Sequence, residues 1–374
     1  MTISWEGTAT SGEARQGRLH TPHGSIDTPA FMPVGTRGTV KTLDAADLEQ
    51  AGAQILLANT YHLMLRPGPG VVAALGELHG FMAWDGPILT DSGGYQVFSL
   101  SPQLSEQGVV FRSTYDGALV ELTPERATAI QEELGSDIAM VLDVLIGLPA
   151  SRRETEDAME RTLRWAERAL AAKRRDDRAL FGIVQGGSDP ELRARSARAT
   201  AALGFPGFGI GGLSVGERAA DRNRAVEAAV GELPATKPRY VMGLGDTEGI
   251  LDCVSRGVDM FDCVLPTRLA RHGKALTRFG DFSLKRAEWA ESRAPIEEGC
   301  PCVACTRYTR GYLRHLLATK EFLGPRLLSV HNLTYTLGLM RRIREAIGNG
   351  SYPAFVEATL GQRGTSTSES DLSH

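Results

Sequence analysis

The sequence is poor in cysteine, in net charge and in long apolar runs, and each shortage removes a class of protein. Five cysteines in 374 residues, an odd number, make no disulfide framework, so a reducing cytoplasm is the expected location. The apolar runs fall well short of the roughly 20 residues a membrane-spanning helix needs, so no membrane partner is expected. The opening segment MTISWEGTATSGEARQG lacks the basic-then-apolar pattern of a secretory signal. No repeat at a solenoid period stands out. The formal net charge of −4, from 41 Lys+Arg and 45 Asp+Glu, argues against a generic nucleic-acid coat. With 42% hydrophobic and 23% charged residues the chain is otherwise ordinary for a globular protein. Charge is unevenly spread, however. Residues 301–350 carry eight Lys+Arg against Glu321 and Glu345. A basic surface there suggests docking of a polyanion, while a solvated helix face is the plainer reading.

What is present is a series of short apolar runs at 30–35, 55–60, 87–92, 137–143, 180–187, 207–212, 239–245 and 260–267. They do not alternate, and they end in glycine or polar residues, as strands buried on both faces of a parallel sheet do. Helical patterns separate them. In LTPERATAIQEELG, Thr123 is an N-cap candidate, Pro124 the first helical residue and Gly135 a stop. Segments 153–175 and 190–204 are rich in Ala, Leu and Arg. Eight βα units predict an α/β fold, a (β/α)8 TIM barrel; a doubly wound open sheet is the alternative. The barrel is favoured because Asp91, Asp143, Gln185, Gly212, Met242 and Asp262 fall at or near the C-terminal ends of runs, which in a barrel share one face. Residues 100–121 read as a β-hairpin insertion turning at Asp116-Gly117. The expected organisation is one catalytic domain over 1–360, with a zinc-binding insertion at 290–335 and a disordered tail at 361–374.

Cys300, Cys302 and Cys305 place three thiols in six residues, and His331 follows 26 positions later. Three thiolates and an imidazole close a tetrahedral zinc site with no open position, which points to a structural ion; three buried free thiols are the alternative. Cys253 and Cys263 read as packing residues. Asp91, in Thr-Asp-Ser-Gly-Gly-Tyr-Gln, is a strand-end carboxylate or a helix cap. Asp262 is an acid inside an otherwise apolar run, costly unless paired or functional. Two carboxylates on one barrel face are the equipment of a retaining glycosyl transfer.

Together Asn59-Thr-Tyr-His-Leu63, Thr90-Asp-Ser-Gly-Gly-Tyr-Gln96, Val184-Gln-Gly-Gly187, Gly211-Gly-Leu-Ser-Val-Gly-Glu217, Phe261-Asp-Cys-Val-Leu-Pro-Thr-Arg268 and the CxCxxC with its distal histidine resemble the bacterial tRNA-guanine transglycosylase (queuine tRNA-ribosyltransferase) family, over about residues 5–360. The resemblance implies a zinc-containing, homodimeric barrel that replaces guanine at the wobble position of tRNAs with GUN anticodons (Asp, Asn, His, Tyr) by a 7-deazaguanine, preQ1 in most bacteria. By matched motif it implies Asp262 as nucleophile and Asp91 as general acid/base. Asp143, Gln185 and Gly212 would read the base edge, Tyr95 and Met242 would sandwich its ring, Glu217 would favour preQ1, and Arg268 and Arg271 would hold the anticodon loop. Tyr308, Tyr312 and His315, spaced as one helical face, would lie at the dimer interface or pack on the barrel. The sequence departs from the family after Asp143, where Val144-Leu145 stand in place of an acid and a cysteine. That substitution keeps two alternatives open: queuine itself as the incoming base, and a DNA-directed 7-deazaguanine transglycosylase.

Overall fold

The computed structural model describes residues 3–147, 149–213 and 216–367. The chain opens with an antiparallel sheet of β1 (Ser4–Ser11), β2 (Ala14–Thr21) and β3 (Gly24–Thr28), an element the sequence reading does not anticipate. Most of the β1 side chains are exposed or half-buried, so the strand carries little apolar signal. The barrel begins with β4 (Ala30–Gly35), β5 (Leu56–Ala58) and β6 (Ile88–Thr90). It is interrupted by an antiparallel sheet of β7 (Gln103–Leu104), β8 (Val109–Arg112) and β9 (Leu119–Leu122). It resumes with β10 (Ile138–Met140), β11 (Ala179–Val184), β12 (Phe208–Ile210), β13 (Arg239–Val241) and β14 (Met260–Cys263).

All eight expected runs therefore form strands, and they close in the order β10-β11-β12-β13-β14-β4-β5-β6. Every residue of β4, β5, β6, β10, β11, β12 and β13 is buried, which is why these runs are apolar without alternation. The inserted sheet contains the expected hairpin, with Asp116-Gly117 between β8 and β9 and Gly117 at φ 73°.

The helices start and stop where local chemistry directs. Thr123 accepts from the Arg126 amide ahead of helix Pro124–Leu134, and Gly135 ends that helix at φ 75°. Ser151 and Glu154 form a capping box on helix Arg152–Ala172, and Asp189 caps Pro190–Ala202. The helix closing the eighth unit, Leu323–Gly348, comes only after the cysteine segment. The final helix runs Tyr352–Thr367, so 361–367 are helical and the tail expected from 361 does not begin there. The reason is tertiary: Arg363 donates to Asp281 at 2.7 Å and to the Tyr335 hydroxyl at 2.9 Å, tying the segment down. Residues 368–374 lie outside the described residues.

The N-terminal end of the barrel is anchored by compensated acids. Asp259, just before β14, pairs with Arg15 at 2.5 Å and accepts the Arg239 amide at 2.7 Å. Asp137, just before β10, takes His23 at 2.8 Å, His79 at 3.1 Å and the Ile88 amide at 2.9 Å. Both carboxylates are fully buried. Each neighbours a cation or imidazole, as buried charge requires.

Candidate active site

At the opposite, C-terminal end, three further acids receive no such compensation: among the described residues, Asp91, Asp143 and Asp262 form no ion pair with Lys, Arg or His. Going round the rim, Asp91 follows β6, Asp143 follows β10, Gln185 follows β11, Gly212 follows β12, Met242 follows β13, and Asp262 sits in β14. The closed sheet thus lines up on consecutive strands six residues that are up to 171 positions apart in the chain.

Asp262 is half-buried. Its Oδ1 accepts from the Tyr240 hydroxyl at 2.5 Å and from the Gly243 amide at 2.7 Å. Burial pushes its carboxyl up to about 6; the two hydrogen bonds pull it down, and the charge of Asp91 pushes it up further. Tyr240 is itself buried and adjoins that carboxylate, so its phenol is held well above its ordinary value and remains a donor. Sequence reasoning missed Tyr240, because a tyrosine inside an apolar run reads as core.

Asp91 is caged by donors. Asn59 Nδ2 reaches Oδ2 at 2.6 Å, the Thr60 amide reaches Oδ1 at 2.8 Å, and Gln96 Nε2 reaches Oδ2 at 3.1 Å. Burial nonetheless raises its carboxyl above the ordinary value, against these bonds. Asn59, Thr60 and Gln96 lie in motifs recognised as signatures but carried no assigned role; only the fold brings them to one carboxylate. The glycines after Asp91 have a steric reason. Gly93 is at φ 82°, where a Cβ would meet the Tyr61 backbone nitrogen at 3.3 Å, and a Cβ on Gly94 would press on Asp143 Oδ1 at 3.0 Å.

Asp143 is buried and accepts from Gln185 Nε2 at 2.6 Å, with the Ser92 hydroxyl at 3.4 Å. Burial is the main cause that pushes its carboxyl up to about 6, with the Asp91 charge a smaller one. Gly212 lies directly against this pair: at φ 66° a Cβ there would overlap Gln185 Oε1. Tyr95, on the short helix that follows Asp91, is 65% exposed, whereas Met242 is half-buried. Glu217 stands in the loop after β12 and acts electrostatically on the buried Arg193; Ser214 and Val215 of its motif lie outside the described residues. Arg268 is exposed and Arg271 half-buried on helix Leu265–Arg271, directly beyond Asp262. Arg271 Nη1 is buried without a hydrogen-bond partner. Val144 is buried in the hydrophobic core, and its amide donates to Thr162 Oγ1 at 2.9 Å.

The cysteine segment folds as expected. His331 Nδ1 lies 3.6, 3.6 and 3.3 Å from the sulfurs of Cys300, Cys302 and Cys305. A tetrahedral zinc ion with standard bond lengths has N···S edges of about 3.6 Å. His331 Nε2 donates to the Leu276 carbonyl at 2.9 Å, which leaves the Nδ1 lone pair for the metal. The donor set and geometry fit zinc, and all four atoms lie within 4.8 Å of one another. Tyr308 is not on the helix Arg310–Ala318 but in the turn before it, yet its ring stacks on Tyr312 at 5.4 Å; His315 is exposed.

A family model described as queuine tRNA-ribosyltransferase matches residues 10–365. The chain belongs to this family. Curated queuine tRNA-ribosyltransferases resemble it closely: the Moorella thermoacetica protein is 53% identical over 90% of this chain and 91% of its own length. One from Thermus thermophilus is 53% identical over 93% and 91%, and that of Thioalkalivibrio sulfidiphilus 49% over 96% and 98%. Queuine tRNA-ribosyltransferases are glycosyl-transferring enzymes, and this chain is a pentosyltransferase. Among the described residues no helix is long and apolar enough to cross a membrane.

Proposed function

We propose that this cytoplasmic enzyme exchanges guanine at the wobble position of GUN-anticodon tRNAs for a 7-deazaguanine by double displacement. The observation that carries the reading is the Asp91–Asp262 pair: two carboxylates at one end of the barrel that, among the described residues, form no ion pair, each raised by burial, with the charge of Asp91 raising Asp262 further. Ionised Asp262 attacks C1′ of the target ribose. A C1′–O bond forms as the C1′–N9 bond breaks, and Asp91 protonates the departing guanine. The incoming base then loses its N9 proton to Asp91 and attacks C1′, releasing Asp262. Two inversions retain configuration and no proton is gained or lost overall. The target nucleotide must leave its stack to reach the rim.

In this reading Asp143, with Gln185 and the Gly212 backbone, accepts the N–H edge of the base, and its ionised form supplies the stronger hydrogen bonds. Tyr95 and Met242 cover the ring faces, and Glu217 attracts the aminomethyl cation of preQ1. Val144 is buried in the core cluster, and Glu217 is retained; the retained acid supports preQ1 over queuine. Zinc at Cys300, Cys302, Cys305 and His331 pins the segment that carries the basic surface. The exposed Tyr312, stacked on Tyr308, and Phe322, 89% exposed, offer a face for a second copy of the chain.

The test is base exchange on one GUN tRNA with labelled preQ1, preQ0 and queuine. Asp262→Ala is expected to lose both exchange and the trapped tRNA adduct. Adduct formation at the wild-type rate in that variant removes Asp262 as nucleophile. Labelling of duplex DNA instead of tRNA replaces the substrate assignment.

A further inference from the structure

The rim divides into two arcs. Strands β10 to β13 carry all the residues assigned to the base except Tyr95, which follows β6. The adjoining strands β14, β4 and β5, with the insertion after β6, carry cations: Arg268 and Arg271 after β14, Arg37 and Lys41 after β4, Arg66 after β5. The last three have no role in the reading above. Arg37 and Arg66 converge on Tyr115, in the turn between β8 and β9. The Arg37 guanidinium lies 5.5 Å from the Tyr115 ring centroid and that of Arg66 lies 4.9 Å from it. The Tyr115 hydroxyl is 3.3 Å from His62 Nδ1. Burial, then the charges of Arg37 and Lys41, depress the basicity of His62, so both cations reach this spot.

Two properties single the cluster out. Arg37, Lys41 and Arg66 are exposed and, among the described residues, none pairs with a carboxylate. The barrel's outer helices behave differently: Arg152, Arg164, Arg168 and Arg195 all do. Asp116, the acid that feels Arg66, spends its carboxylate mainly on Ser113 and the Ala118 amide. Like charges gathered round one ring repel until an anion joins them. The cluster is also wired to the chemistry by three consecutive residues. The Thr60 amide holds Asp91, the Tyr61 hydroxyl meets Thr114 Oγ1 at 3.0 Å, and His62 meets Tyr115.

We propose that Arg37 and Arg66, gathered around Tyr115, together with Lys41 on the same segment after β4 as Arg37, bind the phosphodiester backbone of the RNA next to the target nucleotide. They extend the Arg268–Arg271 contact into one basic arc over strands β14, β4, β5 and β6. The backbone then lies along the basic arc while the base enters beside Asp143 and Gln185. The proposal rests on the tRNA reading above. Phosphate is the ligand that fits: arginine donors match its oxygens in pairs, and backbone contacts of this kind position a nucleic acid without reading its sequence.

The test compares wild type with Arg37→Ala/Arg66→Ala and Arg37→Lys/Arg66→Lys in guanine exchange on tRNA. Both positions are exposed surface, so thermal stability serves as the folding control. The alanine pair is expected to raise KM for tRNA about tenfold or more, with KM for the incoming base moving less than about twofold. The slope of log(kcat/KM) against log salt should flatten by roughly 0.7 for each lost phosphate contact. The lysine pair should recover most of the affinity. An unchanged tRNA KM and salt slope in the alanine pair, with wild type active, overturns the clamp alone. A change confined to the KM of the base also overturns it. A wild-type chain that exchanges no guanine in tRNA overturns the parent reading, and the clamp with it.

Discussion

The Tyr240 hydroxyl donates to Oδ1 of Asp262 at 2.5 Å, from the strand next to the one that carries the carboxylate. With no cation beside it, Asp262 depends on this bond and on the Gly243 amide to remain ionised against burial. Tyr240→Phe leaves the volume almost unchanged and removes the donor. A hydrogen bond to a charged group is worth about 1.5–3 kcal/mol. We expect kcat/KM at pH 7 to fall roughly tenfold or more on that basis. The acid limb of the pH–rate profile, set by a carboxyl pushed up to about 6, should move to higher pH. An unmoved limb in the variant would separate Tyr240 from the ionisation of Asp262.

Asp143 predicts an opposition between function and stability. An unfolded aspartate titrates near 3.9, whereas burial pushes Asp143 up to about 6 in the fold. The raised value means the fold prefers the protonated form. Its contribution is most favourable below about pH 4, is lost as the pH rises through 6, and stays lost at pH 7. Asp143→Asn removes this penalty, at most about 3 kcal/mol, while its amide oxygen can still accept from Gln185. The variant should melt several degrees above wild type at pH 7, should show little difference near pH 4, and should lose base exchange. Calorimetry at the two pH values decides it; a lower melting temperature at pH 7 rejects the sign.

The cysteine cluster should hold zinc at about one ion per chain, since its four ligands leave no vacancy for a second role. Cys302→Ser removes a buried ligand. Metal analysis should find zinc lost, and thermal unfolding should begin at lower temperature in the segment from 276 to 331 that the ion clasps. Undiminished metal content in that variant would mean the four residues do not form the site.

Asp137 stands at the end of the barrel away from the chemistry, with His23, His79 and the Ile88 amide on its carboxylate and Arg178 at 3.4 Å. Asp137→Ala strands these groups in a buried setting. Breaking a buried charged network by removing one partner costs about 3–5 kcal/mol. Urea unfolding should report a loss of that order, while specific activity of the folded fraction at 25 °C should stay within about twofold. A selective loss of activity without destabilisation would give Asp137 a part in the reaction.

Much of this molecule is written locally. Seven of the eight barrel strands are apolar because every residue is buried, and β14 is buried over its first half; burial leaves a composition that a linear scan detects. The helix caps at Thr123 and Asp189 and the clustered thiols are likewise properties of a few adjacent residues. Asp262 is visible because a carboxylate in an apolar run has no cheap structural explanation, whereas Asp91 stands out only through the motif around it, since a strand-end acid also reads as a helix cap.

What the tertiary structure alone decided are relations between distant positions. Tyr240 is indistinguishable from core until β13 is laid beside β14. Asn59, Thr60 and Gln96 become one cage only when β5 and β6 pair. The burial of Val144 follows from packing in the core cluster beside helix Arg152–Ala172, whose Thr162 accepts its amide. The last helix persists past 361 because Arg363 finds Asp281 and Tyr335. Arg37, Lys41 and Arg66 look like scattered surface charges until closure of the sheet places β4 and β5 beside the insertion after β6. Sequence determined which segments had to be buried and which groups were too costly to bury idly. Closing the barrel determined which of those groups meet, because neighbours on the rim are set by strand order rather than by chain position.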